Sequence, residues 1–139
     1  MPIEWVSGDR TATAQWEFGT VDNVAYHKSW RQEQLLFSED TQQADWGFWY
    51  WATENTKALT WQSGQDIVVR GNFIENGTLP DTNDTDFRGI SDDFPVFGFA
   101  INLGNVGKHP ESTLFTLGLT QEIAIQFDSA IGIVPVPSL

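Results

Sequence analysis

An all-β fold, an antiparallel β-sandwich, is what this sequence predicts, and three observations predict it. Apolar and polar residues alternate with a period of two along most of the chain, as on half-buried strands. The alternating runs are short and separated by Gly, Asn, Asp and Ser turn signals. One run, Asp45-Trp46-Gly47-Phe48-Trp49-Tyr50-Trp51, is so rich in rings that it fills both faces of a strand. Short punctuated strands suit an antiparallel sandwich or barrel, and the sandwich is the reading taken here. The 139 residues amount to one domain, 1–139, large enough to bury a core without staples.

The elements follow in order. Ala12, Ala14, Trp16 and Phe18 alternate with Thr11, Thr13, Gln15 and Glu17, which gives a strand with one buried face. Tyr26 to Phe37 is less clear: Arg31 to Leu36 fits a helical turn, while Tyr26 to Gln34 also alternates, which favours a strand. In the aromatic run, Trp46, Phe48 and Tyr50 share one face, and Trp49 and Trp51 the other. Asp66 to Phe73 reads as a strand with Ile67, Val69 and Phe73 opposite Asp66, Arg70 and Asn72. Phe97, Phe99, Ile101 and Leu103 line one side of the run from Phe94. Thr113, Phe115, Leu117 and Leu119 form a further face, followed by Ile123, Ile125 and Phe127. Ser7-Gly8-Asp9, Ser63-Gly64, Asn76-Gly77, Leu103-Gly104-Asn105 and Val106-Gly107 are the turns. The tail from Ile131 carries Pro135 and Pro137, so it is an edge strand or an extended arm. No internal repeat is present. The segment Glu75 to Asp93 reads as one long acidic loop with six acids, and loops of that length in a compact domain are often functional.

Composition narrows the function. Nineteen acids against seven Lys plus Arg give a net charge of −12, which disfavours nucleic acid and anionic membranes as partners. Mean hydropathy is −0.28, and no apolar run is long enough to span a bilayer. The absence of cysteine removes disulfides, thiolate metal sites and cysteine nucleophiles. No basic stretch followed by an apolar run opens the chain. The expected location is therefore cytoplasmic if the chain is complete, and secreted if it is a mature or excised form.

The run GQDIVVRGNFIENGTLPDTNDTDFRGISDDFPVFGFAINL, Gly64 to Leu103, resembles the amino-terminal domain of fungal secreted glutaminases of the glutaminase A type. Glu4 to Asp9 resembles the start of that domain, and Gln121 to Phe127 its last recognisable strand. The likeness is loosest from Thr20 to Thr60. The resemblance implies a β-sandwich that precedes a larger helical region, where glutamine hydrolysis is expected to reside. No catalytic residue carries over. The ending Val134-Pro135-Val136-Pro137-Ser138-Leu139 departs from the family, which continues onward.

Chemistry-bearing residues are sparse. His27 and His109 are the histidines, and no GxSxG elbow is present. Asp92-Asp93, Asp84 with Asp86, and Glu39-Asp40 are paired acids, of the kind glycoside hydrolysis needs across a cleft, but their setting suits turn capping. Asp81, Asn83, Asp84, Asp86, Asp92 and Asp93 offer hard oxygen ligands suited to calcium or another divalent ion, without EF-hand spacing. Arg88 in their midst is expected to fork onto Asp86 or Asp92. Asn76-Gly77-Thr78 and Asn83-Asp84-Thr85 fit the N-glycan acceptor pattern.

The aromatic surplus is the strongest signal. Seven tryptophans, Trp5, Trp16, Trp30, Trp46, Trp49, Trp51 and Trp61, exceed what a two-layer core requires. Core packing accounts for Trp16, Phe97, Phe99 and about half of the rest. The remainder suits a small planar or aromatic ligand, a pigment or chromophore among them. Trp46, Trp49, Tyr50 and Trp51 would be the walls of that site, with His27, Arg70 and Asn72 orienting polar atoms. Alternatives are an accessory domain of a glutaminase-like enzyme, a carbohydrate-binding module, and a homodimer through an aromatic face. The chain alone is expected to be non-catalytic.

Overall fold

The computed structural model describes residues 8–38, 45–129 and 132–137. Trp5 and the Glu39-Asp40 pair lie outside them, as do the ends of the chain. The predicted antiparallel β architecture is present. β1 (Ala14–Val21) and β2 (Val24–Arg31) form a hairpin closed by Asp22 and Asn23. Asp22 takes φ 50°, the left-handed conformation such tight hairpin turns require and Asp tolerates. β2 pairs next with β3 (Phe48–Glu54), the aromatic run. The chain then forms β4 (Leu59–Gln65), α1 (Asp66–Asn76) and β5 (Pro95–Ile101), with β4 and β5 paired to each other. β6 (Phe115–Thr120) returns to β3, which completes a sheet of order β1-β2-β3-β6. β7 (Ile123–Ser129) and β8 (Gly132–Pro137) make a separate antiparallel pair, with Pro135 and Pro137 within a two-stranded ribbon, where one side of every strand is an edge. No described helix is long and apolar enough to cross a membrane.

Four expectations are corrected. The run from Asp66 is a helix, not a strand. Asp66 lies in its first turn and pairs with Arg70 four residues on, a helical spacing. Gly77, read from sequence as a hairpin turn, is the left-handed residue just past the helix end, and its N–H reaches the Phe73 carbonyl at 2.8 Å. The acidic loop is shortened accordingly, since Glu75 and Asn76 belong to α1. The strand expected from Tyr26 to Phe37 ends at Arg31, and the chain turns there. Arg31 meets the buried Asp45 at 3.6 Å, and this contact ties the end of β2 to the residues entering β3.

The four-stranded sheet is the base of the sandwich, and β4-β5 is a smaller layer over it. Alternation sends Trp16 and Phe18 of β1, His27 of β2, and Trp49 and Trp51 of β3 to the inner face. Phe18 stacks on Trp61 of β4, with centroids 3.7 Å apart. His27 stacks on Phe97 of β5, and Trp51 meets Phe99 of the same strand at 4.7 Å. β4 thus covers β1, and β5 covers β2 and β3. Ala14, Trp16, Ile90 and Phe97 form the central cluster, with Trp49 and Trp51 packed on it. A second cluster, Val69, Leu79, Val96 and Ala100, holds α1 to the far side of β5.

Candidate functional site

Among the described residues, no strand layer covers the inner face of β6. Register places Leu119 beside Trp49, Leu117 beside Trp51 and Phe115 beside Thr53, all on the inner side. Phe115 and Leu117 are nevertheless 43% exposed, and Leu119 38%. Phe99 of β5 is the ring that reaches across to Phe115, at 6.4 Å. Beside this face runs a groove of about 430 Å³. Trp51 and Phe99 line it from the sandwich interior, and Val69, Arg70, Phe73 and Ile74 line it from α1. Ile74 is 80% exposed and Phe73 about half exposed. The β6 face and the groove each present exposed apolar side chains of the kind that mark interaction sites.

The residues expected to wall a ligand site are divided rather than gathered. Trp51 and Arg70 are in the groove. Trp49 shares the face of Trp51 and packs on the central cluster. Tyr50 points to the opposite face of the sheet, where it meets Tyr26 at 5.6 Å. Lys28 lies over the Trp30, Phe48 and Tyr50 rings on that outer face, 4.4 Å from the Phe48 centroid, and pairs with Glu17 at 3.5 Å. This cation and its aliphatic stem cover much of the outer aromatic surplus. Trp46 precedes β3 and is buried against Phe37, with its Nε1–H donating to the Ile123 carbonyl at 3.2 Å. Asn72 faces β4 and donates to Gln62 Oε1 at 3.0 Å.

His27 is a core residue. Phe18, Trp51, Trp61, Phe97 and Phe99 surround its ring. Its Nε2–H donates to the Gly98 carbonyl at 3.3 Å, leaving Nδ1 buried with no hydrogen-bond partner among the described residues. Burial pushes its pKa down to about 3, against the opposing effect of the Gly98 hydrogen bond. It is neutral at ordinary pH and removed from solvent, which does not suit proton transfer to a substrate. His109 is exposed in the β5–β6 connection.

In the acidic loop the oxygens serve the backbone and Arg88. Arg88 donates to Asp84 Oδ2 at 2.8 Å and to the Asp86 and Asp92 carbonyls. Its carboxylate partner is therefore Asp84, not Asp86 or Asp92, which offer it their main-chain carbonyls instead. Asp81 Oδ1 accepts the Trp61 N–H, Asn83 Oδ1 the Ser63 hydroxyl, and Asp93 Oδ1 the Gln65 amide. Among the described residues, no group of three His, Asp or Glu side chains converges to hold a metal ion.

Of the groove walls from α1, sequence reading names Arg70 but misses Val69, Phe73 and Ile74, because Asp66 to Phe73 reads as a strand there. The four-residue spacing of Asp66 and Arg70 was the signal that pointed to a helix.

Residues 2–139 match the family described as "Domain of unknown function (DUF5127)". The chain is 55% identical over 125 residues to the N-terminal region of Glutaminase A from Aspergillus oryzae, covering 89% of this chain and 18% of that protein. It is 30% identical over 144 residues to a probable glutaminase from Arthroderma benhamiae, covering 94% of this chain and 16% of that protein. The chain thus spans less than a fifth of either relative. No solved structure gives a match.

Proposed function

Because the chain belongs to the DUF5127 family and aligns with part of a glutaminase, we propose that it is a non-catalytic accessory domain of glutaminase-type proteins. Its role is to dock other polypeptide on the open inner face at β6. The observation that carries this reading is the exposure of Phe115, Leu117 and Leu119 on a face that is buried under β4-β5 elsewhere in the same sheet. Apolar side chains at such a position gain about 25 cal/mol per Å² when covered. The length of the relatives, several times that of the matched region, supplies polypeptide to cover them. The non-catalytic part of the reading is supported by the burial of His27 and by the engagement of Asp84 with Arg88.

A side-by-side assay tests the catalytic half. Intact Glutaminase A from Aspergillus oryzae and this chain, at equal concentration, are given glutamine and ammonia release is followed. The expected result is release by the intact protein and none above buffer by the chain. Turnover by the chain would overturn the non-catalytic reading.

A small planar ligand, such as a pigment, is the second reading. The groove favours it: its volume lies in the range of small-molecule sites, and it combines Trp51 and Phe99 with the charged Arg70. Native beside denaturing mass spectrometry of the chain from its natural source separates the two. Extra mass lost on denaturation supports a ligand, and a bare polypeptide removes that reading.

A further inference from the structure

We propose that Asn76, at the end of α1, carries an N-linked oligosaccharide whose first sugar rests on the ring of Phe73. The proposal is independent of the docking role above, which concerns β6.

The acceptor geometry is the first ground. Asn76-Gly77-Thr78 fits the acceptor pattern, and all three residues are exposed. Gly77 turns the chain at φ 68°, and a Cβ built there meets no atom within 4 Å, so the turn opens on solvent. A bulky, hydrated group belongs on such a surface. Asn76 Nδ2 donates to the Asn72 carbonyl at 3.1 Å. The amide has two N–H bonds, so one holds this contact while the other is replaced. In that transfer the bond from Nδ2 to the sugar C1 forms. The bond from C1 to the pyrophosphate oxygen of a lipid-linked oligosaccharide donor breaks, and the amide proton passes to a base of the transferase. The second match, Asn83-Asp84-Thr85, is built into the fold instead. Asn83 Oδ1 accepts the Ser63 hydroxyl at 2.7 Å, the Asp84 N–H donates to Ser63 Oγ at 2.9 Å, and the Asp84 carboxylate holds Arg88. A sugar at Asn83 would compete with the contacts that tie this segment to β4.

Phe73 is the second ground. Helical side chains lean toward the helix N-terminus, so residue 76 lies over residues 72 and 73. The contact from Asn76 to Asn72 shows that lean. Phe73 neighbours Asn76 on the same helix face and is about half exposed. A pyranose has a face of C–H bonds that is electropositive, and the face of an aromatic ring is electronegative. The first sugar on Asn76 therefore extends over the Phe73 ring and covers apolar surface otherwise left to water. The segment Phe73-Ile74-Glu75-Asn76-Gly77-Thr78 supplies the ring, the acceptor amide and the hydroxyl together.

Mass spectrometry of the chain from its natural source tests the attachment. The chain is treated with peptide-N-glycosidase in heavy-oxygen water, which converts a glycosylated Asn into labelled Asp, and the position is read from fragment ions. Label at Asn76 is the expected result. An unlabelled Asn76 would overturn the proposal. Thermal melts test the contact with Phe73, using the native chain and Phe73→Ala from the same source, each before and after sugar removal. The native chain is expected to lose a few degrees on removal, and Phe73→Ala markedly less. The enzyme leaves Asp at position 76 in both, so that added charge cancels in the comparison. Equal losses in the two proteins would remove the sugar from the Phe73 ring.

Discussion

His27 and Phe97 lie face to face across the sandwich, with centroids 4.9 Å apart and planes 9° from parallel. A titratable ring thus occupies the centre of an aromatic stack, and acid stability depends on it. Its folded pKa, about 3, lies below the unfolded value near 6.5. The unfolded chain therefore takes up the proton first. The stabilisation is full above about pH 6.5 and is lost as pH falls toward 3. The slope approaches about 1.4 kcal/mol per pH unit in that window, or about 2–3 kcal/mol by pH 4.5. Urea denaturation at several pH values is expected to show this slope in the native chain and a shallower one in His27→Gln. Equal slopes would mean His27 does not set the acid response.

Much of this arrangement is legible in the sequence, and the failures have a common cause. β1, β3 and β5 are readable because each sends alternate residues into a core, so Ala14, Trp16, Phe97 and Phe99 stand out. The division of Tyr50 from Trp49 and Trp51 follows from alternation alone. α1 is not readable that way: Ile67, Val68, Phe73 and Ile74 are largely exposed, and Val69 is the buried residue of the helix. With no apolar stripe facing a core, β-branched residues at 67–69 look like a strand. The groove inherits that failure, because half its lining comes from α1. Which strand covers which is a property of long-range packing, and alternation carries no information about it.

The helix makes a paired prediction. Gly71 lies mid-helix with open space where a Cβ would project, whereas Gly77 sits at φ 68° beyond the end. Gly71→Ala is expected to stabilise the chain by about 0.5–1 kcal/mol. Gly77→Ala is expected to destabilise it by about 1–2 kcal/mol, the cost of a left-handed alanine. Thermal melts followed by far-ultraviolet circular dichroism check both. The same sign for the two would contradict the helix boundaries.

Arg88 is a keystone of the acidic loop. It is buried, bound to Asp84 and two carbonyls, and lies 5.7 Å from the Trp16 ring centroid. Arg88→Ala is expected to cost about 3 kcal/mol or more, since it strips partners from several acceptors in a part-buried site. Arg88→Lys is expected to recover little, because an ammonium does not reproduce the planar fork. Guanidinium denaturation of the three proteins reads the difference, and full rescue by lysine would show that charge alone suffices.

The central claim is that the inner face of β6 is open in this chain and covered in the longer proteins. The most direct measurement is a double substitution, Leu117→Asp with Leu119→Asp, made in this chain and at the aligned positions of intact Glutaminase A, with melting temperature as the readout. Exposed side chains tolerate the change, so the melting temperature of the chain alone is expected to stay within a few degrees of its original value. Carboxylates buried without partners do not, so the intact protein is expected to melt well below its parent or to fail to fold. An intact protein that melts unchanged would contradict the account, because the face would be as open there as it is here.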